Sequence, residues 1–185
     1  MSHVTFYGLE LACAPGRVMT PRPATEQLVE AALRELGRRR ARVVDVGTGS
    51  GAIAVALAGA APQLEVWATD TSGCAVELAR ENVRLQGLER RVRVRRGDLL
   101  EPVPGRLDLI VANLPYLPAS SAAAHPELAE EPAPAVYAPG DGLGPYRRLL
   151  AAAEPRLTDD GLVIFQLHRE PIVVARDELP LALAA

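Results

Sequence analysis

Apolar positions along the chain switch between two spacings. Val43-Val44-Asp45-Val46, Leu64-Glu65-Val66-Trp67-Ala68-Thr69 and Leu107-Asp108-Leu109-Ile110-Val111-Ala112 are short apolar runs that read as buried strands. Val92-Arg93-Val94-Arg95 alternates as a half-buried strand does, and residues 161–167 form a further apolar run. Stripes at helical spacing lie between them. Leu28, Val29, Ala32, Leu33 and Leu36 share one face of a helix expected over 24–36 and closed by Gly37. Residues 52–59 form a second helix, broken by Pro62. Thr71 or Ser72 caps a third, with Val76, Ala79 and Val83 buried and Gly87 at its end. Pro145 starts a fourth that runs through Leu149 and Leu150 to Ala153. Strands alternating with helices predict an α/β fold of right-handed βαβ units, with a mostly parallel sheet and helices on both faces.

The two ends and one inner segment fall outside this rhythm. Residues 1–23 are expected to form a hairpin around Gly8, then an extended stretch at Thr20-Pro21-Arg22-Pro23, because residues before proline avoid the α region. Residues 24–185 form the main domain. The Pro- and Ala-rich segment 117–144 has little periodicity; loops this long inside compact domains are usually functional or mobile. Residues 172–185 are apolar and fit neither period clearly.

Ligands of open parallel sheets bind beyond the carboxyl ends of the strands, where the strand order reverses. Four successive expected strands end there in polar or glycine residues. The first ends in Gly47-Thr48-Gly49-Ser50-Gly51, the second at Asp70, the third at Asp98 and the fourth at Asn113. The glycines permit positive φ and close approach to a ligand, and the helix start beyond them favours an anionic group. Their spacing is not that of a dinucleotide fingerprint, which points to another nucleoside ligand. Asp70 suits two ribose hydroxyls. Asp98 suits an adenine amino group, with Leu99 packing on the ring. Asp45, inside the first strand, suits bracing of the glycine-loop N–H groups. In Asn113-Leu114-Pro115-Tyr116, the Asn side-chain carbonyl and a nearby backbone carbonyl can both accept hydrogen bonds from an NH₂ group. Pro115 removes a competing donor, and Tyr116 offers a face for stacking on a planar amide or base.

These segments, together with Tyr7-Gly8-Leu9-Glu10, Thr20-Pro21-Arg22-Pro23-Ala24-Thr25-Glu26, Gly97-Asp98-Leu99, Glu131-Pro132 and Asp141-Gly142-Leu143, resemble a known family. The chain is similar to the Rossmann-like class I S-adenosylmethionine-dependent methyltransferases. Within them it resembles the HemK/PrmC type, which methylates a glutamine side-chain nitrogen of peptide release factors. The resemblance implies S-adenosyl-L-methionine as cofactor and no metal. It implies Asp45, Gly47, Thr48, Gly49, Ser50, Gly51, Asp70, Asp98, Leu99 and Asn113 as cofactor-binding residues. Asn113, Pro115 and Tyr116 would be the catalytic set and a release-factor-like protein the substrate. His3, His125 and His168 read as non-catalytic.

The chain departs from the family pattern in three places. Leu114 stands where the family has a proline. Asn-Leu-Pro-Tyr is also the form seen in rRNA adenine N6-dimethyltransferases, so an adenine of RNA or DNA is the alternative acceptor, beside a small molecule. A further reading is a catalytically idle paralogue serving as a partner subunit. The family's helical N-terminal domain has no counterpart before the hairpin, so substrate docking is expected to be lacking or borrowed from a partner. Only 18 residues follow Leu167 (185 − 167), so the C-terminal antiparallel hairpin is expected to be missing or shortened. The fifth strand would then be an open edge that drives homodimerisation or instability, unless Ile172-Val173-Val174 or a second chain covers it.

Composition changes this picture little. A chain of 185 residues with 49% hydrophobic content supports one domain with a core. The net charge of −3 argues against a dedicated nucleic-acid binder, though not against a local basic patch. Every basic side chain other than histidine is Arg. Arg38-Arg39-Arg40 with Arg42 reads as a solvated helix exit, and Arg90, Arg91, Arg93, Arg95 and Arg96 as a solvent-exposed face rather than an RNA contact. Two cysteines without metal-ligand spacing suit a reduced, cytoplasmic setting. No secretory pattern or membrane-spanning run is visible.

Overall fold

A computed structural model describes residues 2–167 and 170–181. β1 (Ser2–Phe6) and β2 (Leu9–Cys13) form the expected hairpin. Its two turn residues, Tyr7 and Gly8, both have positive φ (50° and 73°), the geometry that matches the twist of a two-residue hairpin. The Tyr7 N–H donates to Glu26 Oε1 at 2.8 Å, which ties the hairpin to the start of α1 (Glu26–Leu36).

The main domain then alternates as the periodicity predicts. β3 (Ala41–Val46), α2 (Ala52–Ala60), β4 (Leu64–Asp70), α3 (Gly73–Leu85), β5 (Val92–Arg96) and β6 (Leu107–Ala112) follow in turn. After them come β7 (Leu117–Pro118), α4 (Ala133–Val136), β8 (Tyr137–Ala138), α5 (Gly144–Ala153), β9 (Leu157–Leu167) and β10 (Glu170–Ala175). The central sheet has the order β10-β9-β6-β3-β4-β5, and every neighbouring pair is parallel except β9 with β10. The order reverses between β3 and β6, as in Rossmann-like folds, and the crevice there is where a ligand is expected.

Alternation along the strands splits the core in two. Val43, Val66, Val94, Leu109, Val111 and Ile164 face α1, α2 and α3. Val44, Val46, Ile110, Ala112, Val163 and Phe165 face the other way, onto Tyr146, Leu149 and Ala153 of α5. Helices therefore cover both faces. Ala52 to Ala58 of α2 are buried all round the helix, which explains why this segment has no polar stripe. The buried Asn82 of α3 joins three elements. Its Nδ2 donates to Ala12 O and Ser50 O (3.0 and 2.8 Å), and its Oδ1 accepts from Ala12 N at 2.7 Å.

Two expectations about the irregular segments change. The fifth main-domain strand, β9, is not an edge: β10 pairs with it antiparallel from Glu170↔Leu167 to Ala175↔Leu162. The C-terminal antiparallel hairpin, expected to be missing or shortened, is therefore present, and Ile172-Val173-Val174 lies within it. This strand of six residues pairs the outer side of β9 over residues 162–167. The segment 117–144 is also not structureless. β7 and β8 pair in parallel, and Glu131 anchors the segment to the extended stretch. Glu131 Oε2 accepts from Thr20 N and Oε1 from Arg22 Nη2, both at 3.1 Å.

Candidate functional site

A cavity of about 440 Å³ opens at the carboxyl ends of β3, β4, β5 and β6, within the size range of small-molecule sites. Gly47 and Gly49 line it, as do Asp70, Asp98, Leu99, Asn113 and Pro115. The sheet order brings together strand ends that are up to 66 residues apart in sequence (113 − 47).

The glycine loop is held from β4. Gly47 N and Thr48 N both donate to Thr69 O at 2.9 Å. Asp70 completes the hold: its Oδ2 accepts from Gly49 N and its Oδ1 from Ser72 N, each at 2.9 Å. Each carboxylate oxygen keeps lone-pair capacity for a further donor in the cavity. Gly47 has φ +70°, and a Cβ there would lie 2.6 Å from Leu114 Cδ2. Leu114 thus packs directly onto the loop, filling space that the glycine leaves.

Asp45 braces the loop by another route than the glycine N–H groups. It is fully buried, and its Oδ2 accepts from Thr48 Oγ1 at 2.5 Å and from Ala54 N, in the first turn of α2, at 3.2 Å. Among the described residues its Oδ1 has no hydrogen-bond partner. Burial pushes its carboxyl up to about 7, against the pull of those two hydrogen bonds. Asp45, Thr48, Ser50 and Gly51 support the loop from behind and are not among the residues lining the cavity.

At the β5 end, Leu99 has φ +46°, a rare conformation for a branched residue, and its carbonyl accepts from Thr69 Oγ1 at 2.8 Å. This holds Asp98 at the cavity wall, where its carboxylate pairs with Arg148 of α5. At the β6 end, Asn113 Nδ2 donates to Thr25 Oγ1 at 3.1 Å. That bond assigns the amide orientation. The next residue is clamped by Tyr146. Leu114 N donates to the Tyr146 hydroxyl at 2.9 Å, and that hydroxyl lies 2.8 Å from Gln166 O and 3.2 Å from Leu114 O. Burial drives the Tyr146 phenol upward, so it stays protonated and can donate. Tyr116 is half-buried against the α5-side core and does not line the cavity. Gly142 (φ +85°) lies so close to this turn that a Cβ would sit 2.0 Å from Tyr116 O.

Three successive residues of α5 therefore make contacts at the site or beside it, and Arg147 and Asp141 lie outside the cavity lining. Tyr146 holds the Asn113-Leu114-Pro115 turn, Arg147 pairs with Asp141 at 2.6 Å, and Arg148 pairs with Asp98. The sequence reading missed Tyr146, Arg148 and Asn82. A signal for the first two was present in the Tyr-Arg-Arg that follows Asp-Gly-Leu by a few residues. Neither His3 nor His125 lines the cavity; His168 lies outside the described residues. Among the described residues no group of His, Cys, Asp and Glu could hold a metal ion.

The chain is 48% identical to a release factor glutamine methyltransferase of Deinococcus radiodurans over 153 residues, covering 82% of this chain and 54% of that protein. It is 40% identical to one of Moorella thermoacetica over 178 residues, covering 95% and 62%. It thus spans little more than half the length of these curated relatives. Among solved structures, a 16S rRNA methyltransferase of T. thermophilus in complex with AdoMet and guanosine superposes with a TM-score of 0.66. That match covers 91% of this chain and 42% of the other at 20% identity, and it establishes the fold. Residues 22–131 match the family described as the methyltransferase small domain, well over half of the 185 residues, and the chain belongs to that family.

Proposed function

We propose that this chain is the catalytic part of an S-adenosyl-L-methionine-dependent N-methyltransferase that acts on a glutamine side chain of a release-factor-like protein. The observation that carries the reading is the Asn113-Leu114-Pro115 turn, locked by Thr25 and Tyr146 and packed on the glycine loop. The cavity's chemistry suits the cofactor: its carboxylates, Asp70 and Asp98, can accept from ribose hydroxyls and an adenine amino group. S-adenosyl-L-methionine, when bound, supplies an electrophilic methyl on a sulfonium. Gly47 and Gly49 let the backbone approach its methionine end. Asn113 Oδ1 and a neighbouring backbone carbonyl accept both protons of the substrate amide and so aim its nitrogen lone pair. An amide nitrogen is a weak nucleophile, so these residues act through positioning and exclusion of water. Leu114 fits beside this turn, because its side chain packs on the face of Gly47.

The relatives named as release factor glutamine methyltransferases support the acceptor class. The setting we assign is the cytoplasm, in keeping with free Cys13 and Cys74. Among the described residues no helix is long and apolar enough to cross a membrane. The test is transfer of a radiolabelled methyl group to a release factor, in parallel with adenine-containing RNA and a cofactor titration by calorimetry. Label in the release factor, lost on Asn113→Ala while cofactor binding persists, is the expected result. Label only in RNA would move the acceptor to adenine. Cofactor binding without any transfer would indicate an idle subunit, and no binding at millimolar cofactor would sink the methyltransferase reading.

A further inference from the structure

Two arginine runs, each expected from the sequence to be no more than a solvated face, converge at the edge of the sheet opposite the cavity, and their convergence changes that reading. β3 and β4 start side by side at Ala41 and Leu64, and the glycine loop lies at their far end. At roughly 3.3 Å per residue the two edges are about 20 Å apart. A concavity of about 500 Å³ opens there between Arg40, Arg42, Arg90, Arg91 and Arg93.

Both carboxylates that line this concavity are already engaged. Glu65 pairs with Arg93 and lies 3.6 Å from Arg42 Nε, while Asp108 Oδ2 accepts the Arg42 backbone N–H at 2.7 Å. Arg91 donates to Ala58 O. Arg40 and Arg90 are exposed and have no side-chain partner among the described residues. The Nε of Arg42 is buried and has no hydrogen-bond partner among the described residues. Five arginines against two carboxylates make this edge locally cationic in a chain whose net charge is −3. Arg38 and Arg39, both exposed, extend the positive surface along the α1–β3 turn.

The chemistry of the walls narrows the ligand. Guanidinium groups match phosphate oxygens with forked hydrogen bonds. A platform for unstacked bases is lacking at this edge: Trp67 is buried, with the Arg93 and Arg95 guanidinium groups 5.3 and 5.6 Å from its ring centroid. Recognition would therefore read the backbone and not the bases. We propose that this edge binds the phosphate backbone of double-helical nucleic acid. It is a docking surface separate from the methyl-transfer cavity, and the inference does not rest on the function proposed above.

The test is fluorescence anisotropy with a labelled 20-base-pair duplex, as RNA and as DNA, over a range of salt concentrations. The full chain should bind both duplexes. The slope of log K against log salt should be about −3 to −4, from roughly 0.9 per phosphate contact. Arg40→Ala with Arg90→Ala should shrink that slope by about 2, and Arg40→Glu with Arg90→Glu should abolish binding. Both residues are exposed and unpartnered, and an unchanged melting temperature in each variant checks the fold. Arg34→Ala, on an exposed part of α1, should change nothing. No saturable binding of either duplex at 50 mM salt would overturn the proposal, as would an unchanged slope in the double alanine variant. Displacement of the duplex by polyglutamate at equal charge concentration would overturn it in favour of an acidic protein.

Discussion

Tyr146→Phe tests whether the hydroxyl clamp organises the acceptor end of the site. The ring is fully buried and packs on Phe165 with centroids 5.0 Å apart, contacts that phenylalanine keeps. The substitution therefore isolates one oxygen. That oxygen accepts the Leu114 N–H and can donate to Gln166 O or Leu114 O. Losing a donated bond costs about 1 kcal/mol, and leaving the buried Leu114 N–H unpaired costs about 1–3 kcal/mol. The expected loss of stability is about 2–4 kcal/mol, below the ~5–15 kcal/mol of a typical domain, so the variant should still fold. Urea unfolding should show a lower midpoint with an unchanged m-value. A loosened Leu114 turn also displaces Asn113. Turnover should then fall about tenfold, equivalent to ~1.4 kcal/mol, while cofactor affinity stays within about twofold. An unchanged urea midpoint together with unchanged turnover would refute the clamp. A turnover loss matched by an equal loss of cofactor affinity would show that the clamp serves the glycine loop instead.

Three further outcomes follow from the geometry. Asp45 is raised from 3.8 to about 7 by burial, so between those values the folded chain holds a proton that the unfolded chain has released. Stability should therefore fall as pH rises from about 4 and level off above about 7, with a loss of about 3 kcal/mol between pH 5 and pH 8 from this group. Urea midpoints at the two pH values should show that slope diminished in Asp45→Asn; an identical slope in both proteins would mean Asp45 ionises normally. Gly142→Ala forces a Cβ to within 2.0 Å of the Tyr116 carbonyl oxygen at φ +85°. A melting curve should register a loss of roughly 3 kcal/mol, and wild-type stability would disprove the close approach. Arg148 orients Asp98 across the cavity wall. Calorimetry should find that Asp98→Asn lowers the preference for S-adenosylhomocysteine over its inosine analogue about tenfold, and Arg148→Ala about threefold, the scale of an exposed ion pair. Equal weakening of both ligands would deny Arg148 a positioning role.

The strand ends were the most legible part of the site. Each is a local pattern: an apolar run of strand length followed by glycine, Asp or Asn, then a helical stripe. Gly47, Gly49, Asp70, Asp98 and Asn113 lie where that pattern placed them, and all line one cavity. The α5 contacts were not legible, because Tyr146 meets Leu114 across 32 residues and Arg148 meets Asp98 across 50. Such pairs depend on which face of the sheet α5 covers. Asn82 reads in sequence as an ordinary polar position of an amphipathic helix, yet it is buried, because the hairpin folds over that face of α3. The role expected for Asp45 was half right: it braces the loop through Thr48 and α2, while Asp70 takes the glycine N–H.

By itself the sequence determined the order of the elements from β1 to β6, of α5 and of β9, the parallel sheet, the glycine loop and the carboxylates beside it. These are encoded in periods of two and 3.6 residues and in turn residues, which act over a few positions. Only the tertiary structure decided that β10 closes the sheet beside β9 and that α5 clamps the Asn113 turn. It also decided that two separate arginine runs share one concavity. Those outcomes turn on which distant segments become neighbours, and that is set by burying both faces of the sheet at once.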